Sequence, residues 1–81
     1  MQVTVRFFAR AQDLAGTDAT EMALPEGSTV VTLRDEVVKQ FPKLAGFVDR
    51  CAIAVNSEFA KDTTVLTEGA EAALLPPVSG G

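Results

Sequence analysis

The chain has 81 residues, of which 47% are apolar, and seven basic against eleven acidic side chains give it a formal net charge of −4. That length is enough for one domain with a modest core, and the apolar fraction is ordinary for a folded protein rather than a disordered one. The negative charge disfavours nucleic acid and anionic membrane as partners, and it suits a protein partner with a basic surface.

Several residue types that common chemistry requires are missing or scarce. There is no histidine, the commonest general base and a frequent metal ligand, so we expect no metal site. The single cysteine, Cys51, cannot form an internal disulfide, and its apolar neighbours indicate a buried small side chain more than a reactive thiol. No apolar run approaches the length of a membrane span, and the first residues lack the apolar region of a secretory signal. We therefore expect a cytoplasmic protein.

The first strand is predicted almost at the N-terminus. Residues 2–8 alternate in character, with Val3, Val5 and Phe7 pointing one way and polar residues the other. Phe8 breaks the alternation, because it falls on the face that should be exposed to solvent.

Two short segments follow the first strand. Residues 9–17 have brief helical spacing and are predicted to form a one-turn connection that ends at Gly16. Residues 18–24 predict a second strand, and its position next to the first in sequence favours an antiparallel pair.

After the second strand the apolar spacing changes to that of an amphipathic helix of about 12 residues. Ser28 or Thr29 is the predicted N-cap, and Pro42 is predicted to stop the helix. The charged residues off the apolar stripe, among them Arg34, are predicted to form a solvated face. The stripe consists of Val30, Leu33, Val37, Val38 and Phe41.

The rest of the chain is predicted to hold the remaining strands. Residues 43–50 should form an irregular connection that tucks Leu44 and Phe47 under the sheet edge, and residues 51–56 a third strand. Short extended pieces then lead to a last strand at 71–75, in which Leu74 and Leu75 face opposite ways.

The order of these elements predicts an α+β domain in residues 1–75, with a mixed sheet of four to five strands and one main helix packed on one face. The first and last strands are expected to pair in parallel at the centre. Phe8, Leu75 and Phe59 should then lie on the face that the helix leaves uncovered, as an interaction patch. The alternative is that residues 43–50 wrap over them.

Residues 76–81 are predicted to form an extended tail. Two prolines fix φ and remove two backbone donors, so the last strand cannot continue past Leu75 as a central strand. Extended at roughly 3.3 Å per residue, the tail would reach about 20 Å, and its glycines suit a narrow channel. This pattern predicts delivery of a terminal carboxylate into a partner's pocket, whereas the alternative is a frayed terminus.

Four segments carry a family resemblance: Val5-Arg-Phe-Phe-Ala9, Ala15-Gly-Thr17, Ala54-Val-Asn56 and, most specific, Ala73-Leu-Leu-Pro-Pro-Val-Ser-Gly-Gly81. Through them the whole chain resembles the ubiquitin-like β-grasp sulfur carriers, and within that family the small subunits of molybdopterin synthase. One departure is Ala70, where the family usually has an aspartate whose carboxylate could cap nearby amides.

The resemblance implies that an ATP-dependent, ubiquitin-activating-like enzyme adenylates the carboxylate of Gly81. Sulfur from a donor protein's persulfide would then replace AMP and leave a thiocarboxylate. In the synthase large subunit this group would pass its sulfur to the cyclic pyranopterin monophosphate precursor, for molybdenum cofactor biosynthesis. The family suggests two carriers on one large-subunit dimer, a heterotetramer. The carrier itself would bind no cofactor and would not be an enzyme on its own.

The resemblance also implies a role for each site residue. Gly81 would carry the sulfur. The residues that thread the tail into the partner would be Pro76, Pro77, Val78, Ser79 and Gly80. The two prolines would lower the entropy lost on docking. The residues that bury against the large subunit, and alternately against the activating enzyme, would be Phe8, Phe59 and Leu75.

Three other functions stay open. A carrier for thiamine thiazole synthesis or tRNA thiolation would use the same chemistry, although the Pro-Pro-Val-Ser stretch disfavours it. A ubiquitin-like interaction module would conjugate its tail to lysines or leave it unused. A small enzyme is disfavoured by the missing histidine and by the lack of paired carboxylates.

Overall fold

The computed structural model describes residues 1–77, and the predictions made for Val78, Ser79, Gly80 and Gly81 lie outside this range. Within it, five strands form one mixed sheet in the order β2-β1-β5-β3-β4. The strands are β1 (Gln2–Phe7), β2 (Ala19–Ala23), β3 (Ala52–Val55), β4 (Glu58–Phe59) and β5 (Glu71–Leu75). The predicted α+β architecture with one main helix is confirmed.

The centre of the sheet is the parallel pair of β1 and β5, in which Phe7 lies opposite Leu74. β2 pairs antiparallel with β1, and β3 pairs antiparallel with β5 and with β4. Alternate side chains of β1 and β5 point into the core, as the sequence predicts. The largest fully buried side chains of the core are Phe7, Met22, Leu33, Leu44, Ile53 and Leu74.

The main helix, α2 (Val30–Gln40), lies across one face of the sheet and ends just before Pro42. Its N-cap is Thr29, one of the two predicted residues, but no side chain caps the helix. Instead, the first amides donate to backbone carbonyls of the segment before β5: Val30 N–H to Thr64 O (3.1 Å) and Val31 N–H to Asp62 O (3.2 Å). The segment that leads to β5 thus satisfies amides that a helix start leaves without partners.

The connection between β1 and β2 is longer than one turn, which corrects the prediction for residues 9–17. It forms a seven-residue helix, α1 (Ala9–Ala15), whose first amide bonds reach the carbonyl of Phe8. Ala11 is fully buried, so packing against the core stabilises a segment too short to be helical alone. Gly16 ends the helix in the left-handed conformation at φ 76°, as predicted.

Residues 43–50 lie on the helix side of the sheet. Two 3-10 turns, Pro42–Leu44 and Val48–Arg50, place Leu44 and Val48 in the core, and Phe47 is half-buried. The segment therefore does not cover the opposite face, which excludes the alternative that it wraps over the predicted patch. The burial of Leu44 confirms the prediction, and that of Val48 was missed.

The prediction of a solvated helix face is wrong for Arg34. Its guanidinium bonds the carboxylate of Asp62 and the carbonyls of Val48 and Cys51, and its side chain is only 15% exposed. The helical period places Arg34 next to the buried stripe, from which its long side chain reaches over the segments that flank α2.

Candidate functional site

The predicted tail starts from the middle of the sheet. β5 is flanked by β1 and β3, and its last residue, Leu75, lies opposite Ala52. Beyond it, Pro76 is half-buried and Pro77 is exposed. Because β1 runs parallel to β5, the C-terminal ends of both strands lie at the same end of the domain. Phe8 and the start of the tail therefore lie at that end.

Phe8 is not part of the strand, which corrects the predicted range of residues 2–8. β1 ends at Phe7, and Phe8 is the N-cap of α1, with extended backbone at φ −119° and ψ 151°. This extended conformation still directs Phe8 away from the buried Phe7, and 43% of it is exposed. The next residue, Ala9, turns the chain with a left-handed φ of 51°, which is uncommon for a residue with a Cβ.

The sheet face opposite α2 carries a row of residues across four neighbouring strands. In this row Arg6 lies opposite Ala73, Ala73 opposite Ala54, and Ala54 opposite Phe59. The outer face, as we call this surface, consists of Arg6, Ala52, Ala54, Phe59, Ala73 and Leu75. Its alanines are small enough for a partner to approach the strands closely, and Phe59 is 80% exposed.

Phe59 is presented by a tight hairpin. Val55 lies opposite Glu58, which leaves a two-residue loop in which Asn56 and Ser57 have φ of 51° and 71°. Two left-handed residues in sequence are typical of the turns that match strand twist. The Asn56 side-chain oxygen also accepts the Glu71 amide at 3.0 Å, which ties the hairpin to β5.

One ion pair lies on the open side of the sheet. Arg6 Nε is 3.1 Å from Glu71 Oε2, and both side chains are about half exposed. Water screens such a pair, so it contributes at most about 1 kcal/mol to folding. Because Arg6 borders the alanines of the outer face, this pair limits the apolar surface on the side away from Phe59.

The departure at Ala70 leaves its turn intact. Ala70 is buried in the core, and its carbonyl accepts the Thr4 amide at 2.9 Å. A carboxylate still caps an amide there, because both oxygens of Glu68 lie within 3.3 Å of the Gln2 nitrogen. Glu68 thus provides the acidic cap that position 70 lacks.

Cys51 is buried, as predicted, and its Sγ lies 3.6 Å from the carbonyl of Phe47. Burial raises the pKa of this thiol above its ordinary value of 9.0, and the charges of Arg34 and Arg50 oppose part of the shift. The thiol is therefore protonated at neutral pH and poorly suited to nucleophilic chemistry.

Across residues 1–77, no three side chains of the kinds that ligate metals come close enough together to hold an ion. None of the helices in the same range has the length and hydrophobicity to cross a membrane.

The sheet, its covering helix and the exit of a central strand toward a Gly-Gly terminus define the ubiquitin-like β-grasp class. Residues 5–81 match the ThiS family, and the chain belongs to that family. It is 35% identical to the molybdopterin synthase sulfur carrier subunit of Arabidopsis thaliana, over 100% of this chain and 84% of the relative. It is also 38% identical to the molybdopterin synthase sulfur carrier subunit of Escherichia coli, over 98% of this chain and 99% of the relative. These two names confirm the prediction of a carrier subunit rather than an enzyme on its own, and they support a role in molybdenum cofactor biosynthesis.

Solved structures share the whole fold. SAMP1, the small archaeal modifier protein 1 of Haloferax volcanii, superposes with a TM-score of 0.92 at 28% identity, over 100% of both chains. A putative molybdopterin converting factor subunit 1 from Pyrococcus furiosus has a TM-score of 0.89 at 35% identity, over 96% of this chain and 99% of its own. Subunit 1 in a complex with subunit 2 of the Helicobacter pylori factor has a TM-score of 0.71 at 29% identity, over 100% of both.

The structure brings the three predicted partner-binding residues to one side of the domain. Phe59 and Leu75 lie on the outer face, and Phe8 lies at the end from which the tail starts. The alanines at positions 52, 54 and 73 were not predicted as part of this surface. Their signal was present in the sequence, since Ala52 and Ala54 alternate with Cys51, Ile53 and Val55, and Ala73 lies two residues before Leu75 in the same strand.

Proposed function

We propose that this chain is the sulfur-carrying subunit of a molybdopterin synthase. The observation that carries the proposal is the central strand that ends at Leu75 beside an open apolar face and leads to a Gly-Gly terminus. The name shared by the relatives in plants and bacteria supports it. In this proposal residues 1–75 are the presenting domain, residues 76–81 are the tail, and the protein works in the cytoplasm.

The chemistry takes place at the carboxylate of Gly81. An activating enzyme joins this carboxylate to the α-phosphate of ATP and releases pyrophosphate, which turns a poor electrophile into an acyl adenylate. The terminal sulfur of a donor's persulfide then attacks the acyl carbon and displaces AMP. A thiol cleaves the resulting sulfur–sulfur bond, so that the carrier keeps a thiocarboxylate and the two thiols become a disulfide.

The thiocarboxylate is anionic and nucleophilic at neutral pH. In the large subunit its sulfur forms a bond to a carbon of the pyranopterin precursor and displaces an oxygen substituent from it, and hydrolysis of the acyl–sulfur bond returns the carboxylate of Gly81. Two such deliveries, from the two carriers of a heterotetramer, supply both sulfurs of a dithiolene. Proton transfer and recognition of the precursor belong to the large subunit, because the carrier has no histidine.

The outer face, together with Phe8, is the proposed contact surface for the large subunit. The complex of subunits 1 and 2 in Helicobacter pylori supports a partner of this kind. Full burial of an exposed side chain such as Phe59 contributes roughly 1.5–3 kcal/mol. If the activating enzyme uses the same surface, the two complexes exclude each other, and the carrier must leave one partner before it meets the next.

A second candidate function is protein modification. The Haloferax volcanii neighbour is named a modifier protein, and it superposes on the whole chain. A modifier would pass the activated acyl group of Gly81 to a lysine amine instead of a persulfide sulfur. Both functions need the same tail, and they differ in which nucleophile takes the acyl group.

Two variants of the last residue test the proposed function. Deleting Gly81, or adding one alanine after it, moves the reactive carboxylate by one residue relative to the domain. We expect either change to abolish sulfur transfer in an assay with the activating enzyme, the persulfide donor and the large subunit. The free energy of unfolding should not change, because position 81 lies beyond β5. Sulfur transfer by either variant would contradict the proposal.

A further inference from the structure

The side chain of Arg34 connects the main helix to both ends of the β3–β4 hairpin. Its Nη1 donates to the carbonyl of Cys51 at 2.9 Å, directly before β3 begins. Its Nε donates to Asp62 Oδ1 at 3.0 Å, three residues after β4 ends. Nη1 also donates to the carbonyl of Val48 at 2.6 Å, in the turn that leads into the hairpin. One guanidinium therefore holds the segments that enter and leave this hairpin.

The hairpin is attached to the rest of the sheet along one strand only, so a further support on its other side matters. It lies at the edge of the sheet, and β4 has only two residues, both paired to β3. The contact with the rest of the sheet is the antiparallel pairing of β3 with β5, from Ala52–Leu75 to Val55–Ala72. Short edge strands with few ladder bonds open more readily than the centre of a sheet.

This hairpin carries half of the outer face. Ala52, Ala54 and Phe59 belong to it, whereas Ala73 and Leu75 belong to β5, from which the tail starts. A partner that binds both halves needs them in a fixed relation, because a surface that must be ordered on binding loses affinity. The orientation of the hairpin relative to Leu75 therefore determines how well the surface and the tail are presented together.

Arginine suits this task better than lysine. Its planar group donates in several fixed directions, so it can bond a carboxylate and two carbonyls that belong to different segments. With 15% of the side chain exposed, water competes little for these bonds. A lysine has the same charge but holds it at a single nitrogen on a flexible stem.

We propose that Arg34 is a positioning residue of the carrier, which fixes the β3–β4 hairpin against β5 so that Phe59 and Leu75 form one docking surface beside the tail. The inference rests on the proposed function, in which the outer face binds the large subunit. It assigns to Arg34 no contact with a partner and no part in the chemistry.

Hydrogen exchange distinguishes this role from a general contribution to stability. The amides of Asn56 and Ala60 report on the hairpin, because they donate to Glu71 O at 2.8 Å and to Ile53 O at 2.9 Å. The amides of Thr4 and Phe7 report on the sheet centre, because they donate to Ala70 O and to Asp18 O, each at 2.9 Å. Loss of general stability raises exchange at all four positions, whereas a freed hairpin raises it at the first two alone.

The test compares Arg34→Gln with Arg50→Gln in the full chain. Arg50 is a matched control, since it is also a cation next to Cys51, but its guanidinium stacks on the ring of Phe47, 5.6 Å from the ring centre. For Arg34→Gln we expect exchange at Asn56 and Ala60 to rise at least about tenfold, because the three bonds of the guanidinium are lost, with little change at the sheet centre. The affinity for the purified large subunit should fall by a similar factor.

Two further variants keep the test decisive. Arg34→Lys should lie between the wild type and Arg34→Gln in both measurements. If Arg34→Gln does not fold, Asp62→Asn removes only the negative charge of the exposed partner and leaves an oxygen that accepts from Arg34, so it should give a smaller rise at the same two amides. Equal exchange increases at all four amides, or wild-type exchange and affinity in these variants, would overturn the positioning role. Failure of the wild-type chain to bind the large subunit would instead contradict the proposed function.

Discussion

The two faces of the sheet carry similar side chains and put them to different uses. Phe7 and Phe8 are neighbours in sequence, yet Phe7 is 1% exposed and Phe8 is 43% exposed. Leu74 and Leu75 repeat the contrast, with Leu74 fully buried and Leu75 half-buried. The inner face packs against α2 and holds the domain together, whereas the outer side keeps apolar surface that folding does not use. Apolar character alone therefore does not distinguish core from binding surface.

Substitutions at Phe7 and Phe8 should differ most clearly, one lowering the free energy of unfolding and the other weakening binding to the large subunit. Phe7→Ala removes a buried ring that packs edge-on against Phe41 at 5.0 Å, so we expect a loss of about 4 kcal/mol in the free energy of unfolding. Phe8→Asp should change that free energy by less than about 1 kcal/mol and strongly weaken binding to the large subunit. Denaturant unfolding and titration calorimetry measure the two effects. Unfolding of the isolated Phe8→Asp domain would mean that Phe8 belongs to the core.

The leucine pair tests the same contrast at the start of the tail. Leu74→Ala should cost about 3 kcal/mol of unfolding free energy, because its side chain is enclosed between the sheet and the helices. Leu75→Ala should cost about 1 kcal/mol and reduce the affinity for the large subunit. The two substitutions remove the same atoms from adjacent residues, so each is the control for the other. Equal losses of stability would contradict the assignment of faces.

A change in the hairpin turn should give a smaller effect of opposite sign. Ser57 has a φ of 71°, which costs a residue with a Cβ about 1 kcal/mol relative to glycine. Ser57→Gly should therefore raise the free energy of unfolding by up to about 1 kcal/mol without changing Phe59. Ser57→Ala, which keeps the Cβ, is the control and should not stabilise the protein. Thermal unfolding of the three proteins would show whether the turn is strained as described.

The smallest expected effect is a dependence of stability on pH, which arises from the buried thiol of Cys51. Since burial raises the pKa of Cys51 in the folded state, the fold holds the thiol proton more tightly than the unfolded chain does. Its contribution to stability is complete below the ordinary value of 9.0 and is lost as the pH rises through the higher folded pKa. Compared with Cys51→Ala, the wild type should lose more unfolding free energy above pH 9.0. Parallel pH profiles of the two proteins would count against this shift.

Much of the fold follows from local patterns in the sequence. The alternation of Val3, Val5 and Phe7 identifies a strand and its buried side, and the apolar stripe of α2 identifies the helix and its end at Pro42. These features depend on the side chains of one element, so a single sequence contains them. The same alternation within β5 places Leu75 on the side of the sheet opposite Leu74.

The features that the sequence did not reveal depend on contacts between distant segments. In the sequence Arg34 has the pattern of an exposed charge on a helix. Its role becomes evident only from its contacts with Val48, Cys51 and Asp62, which are distant in sequence. The helix α1 exists because Ala11 packs into the core, which its own short pattern does not predict. Ala70 offers no carboxylate, and the sequence did not show that Glu68, two residues earlier, caps the amide of Gln2 instead.

The most direct test is to measure the mass of the carrier's C-terminus after reaction with its activating enzyme, ATP and a persulfide donor. This mass shows whether Gly81 carries sulfur. We predict that intact-protein and C-terminal peptide mass spectra gain the difference between one sulfur and one oxygen, located at Gly81. The same sample should lose this gain when the large subunit and the pterin precursor are added. A terminus that stays a carboxylate under these conditions, or that becomes linked to a lysine, would contradict the claim that the domain exists to present sulfur at its last residue.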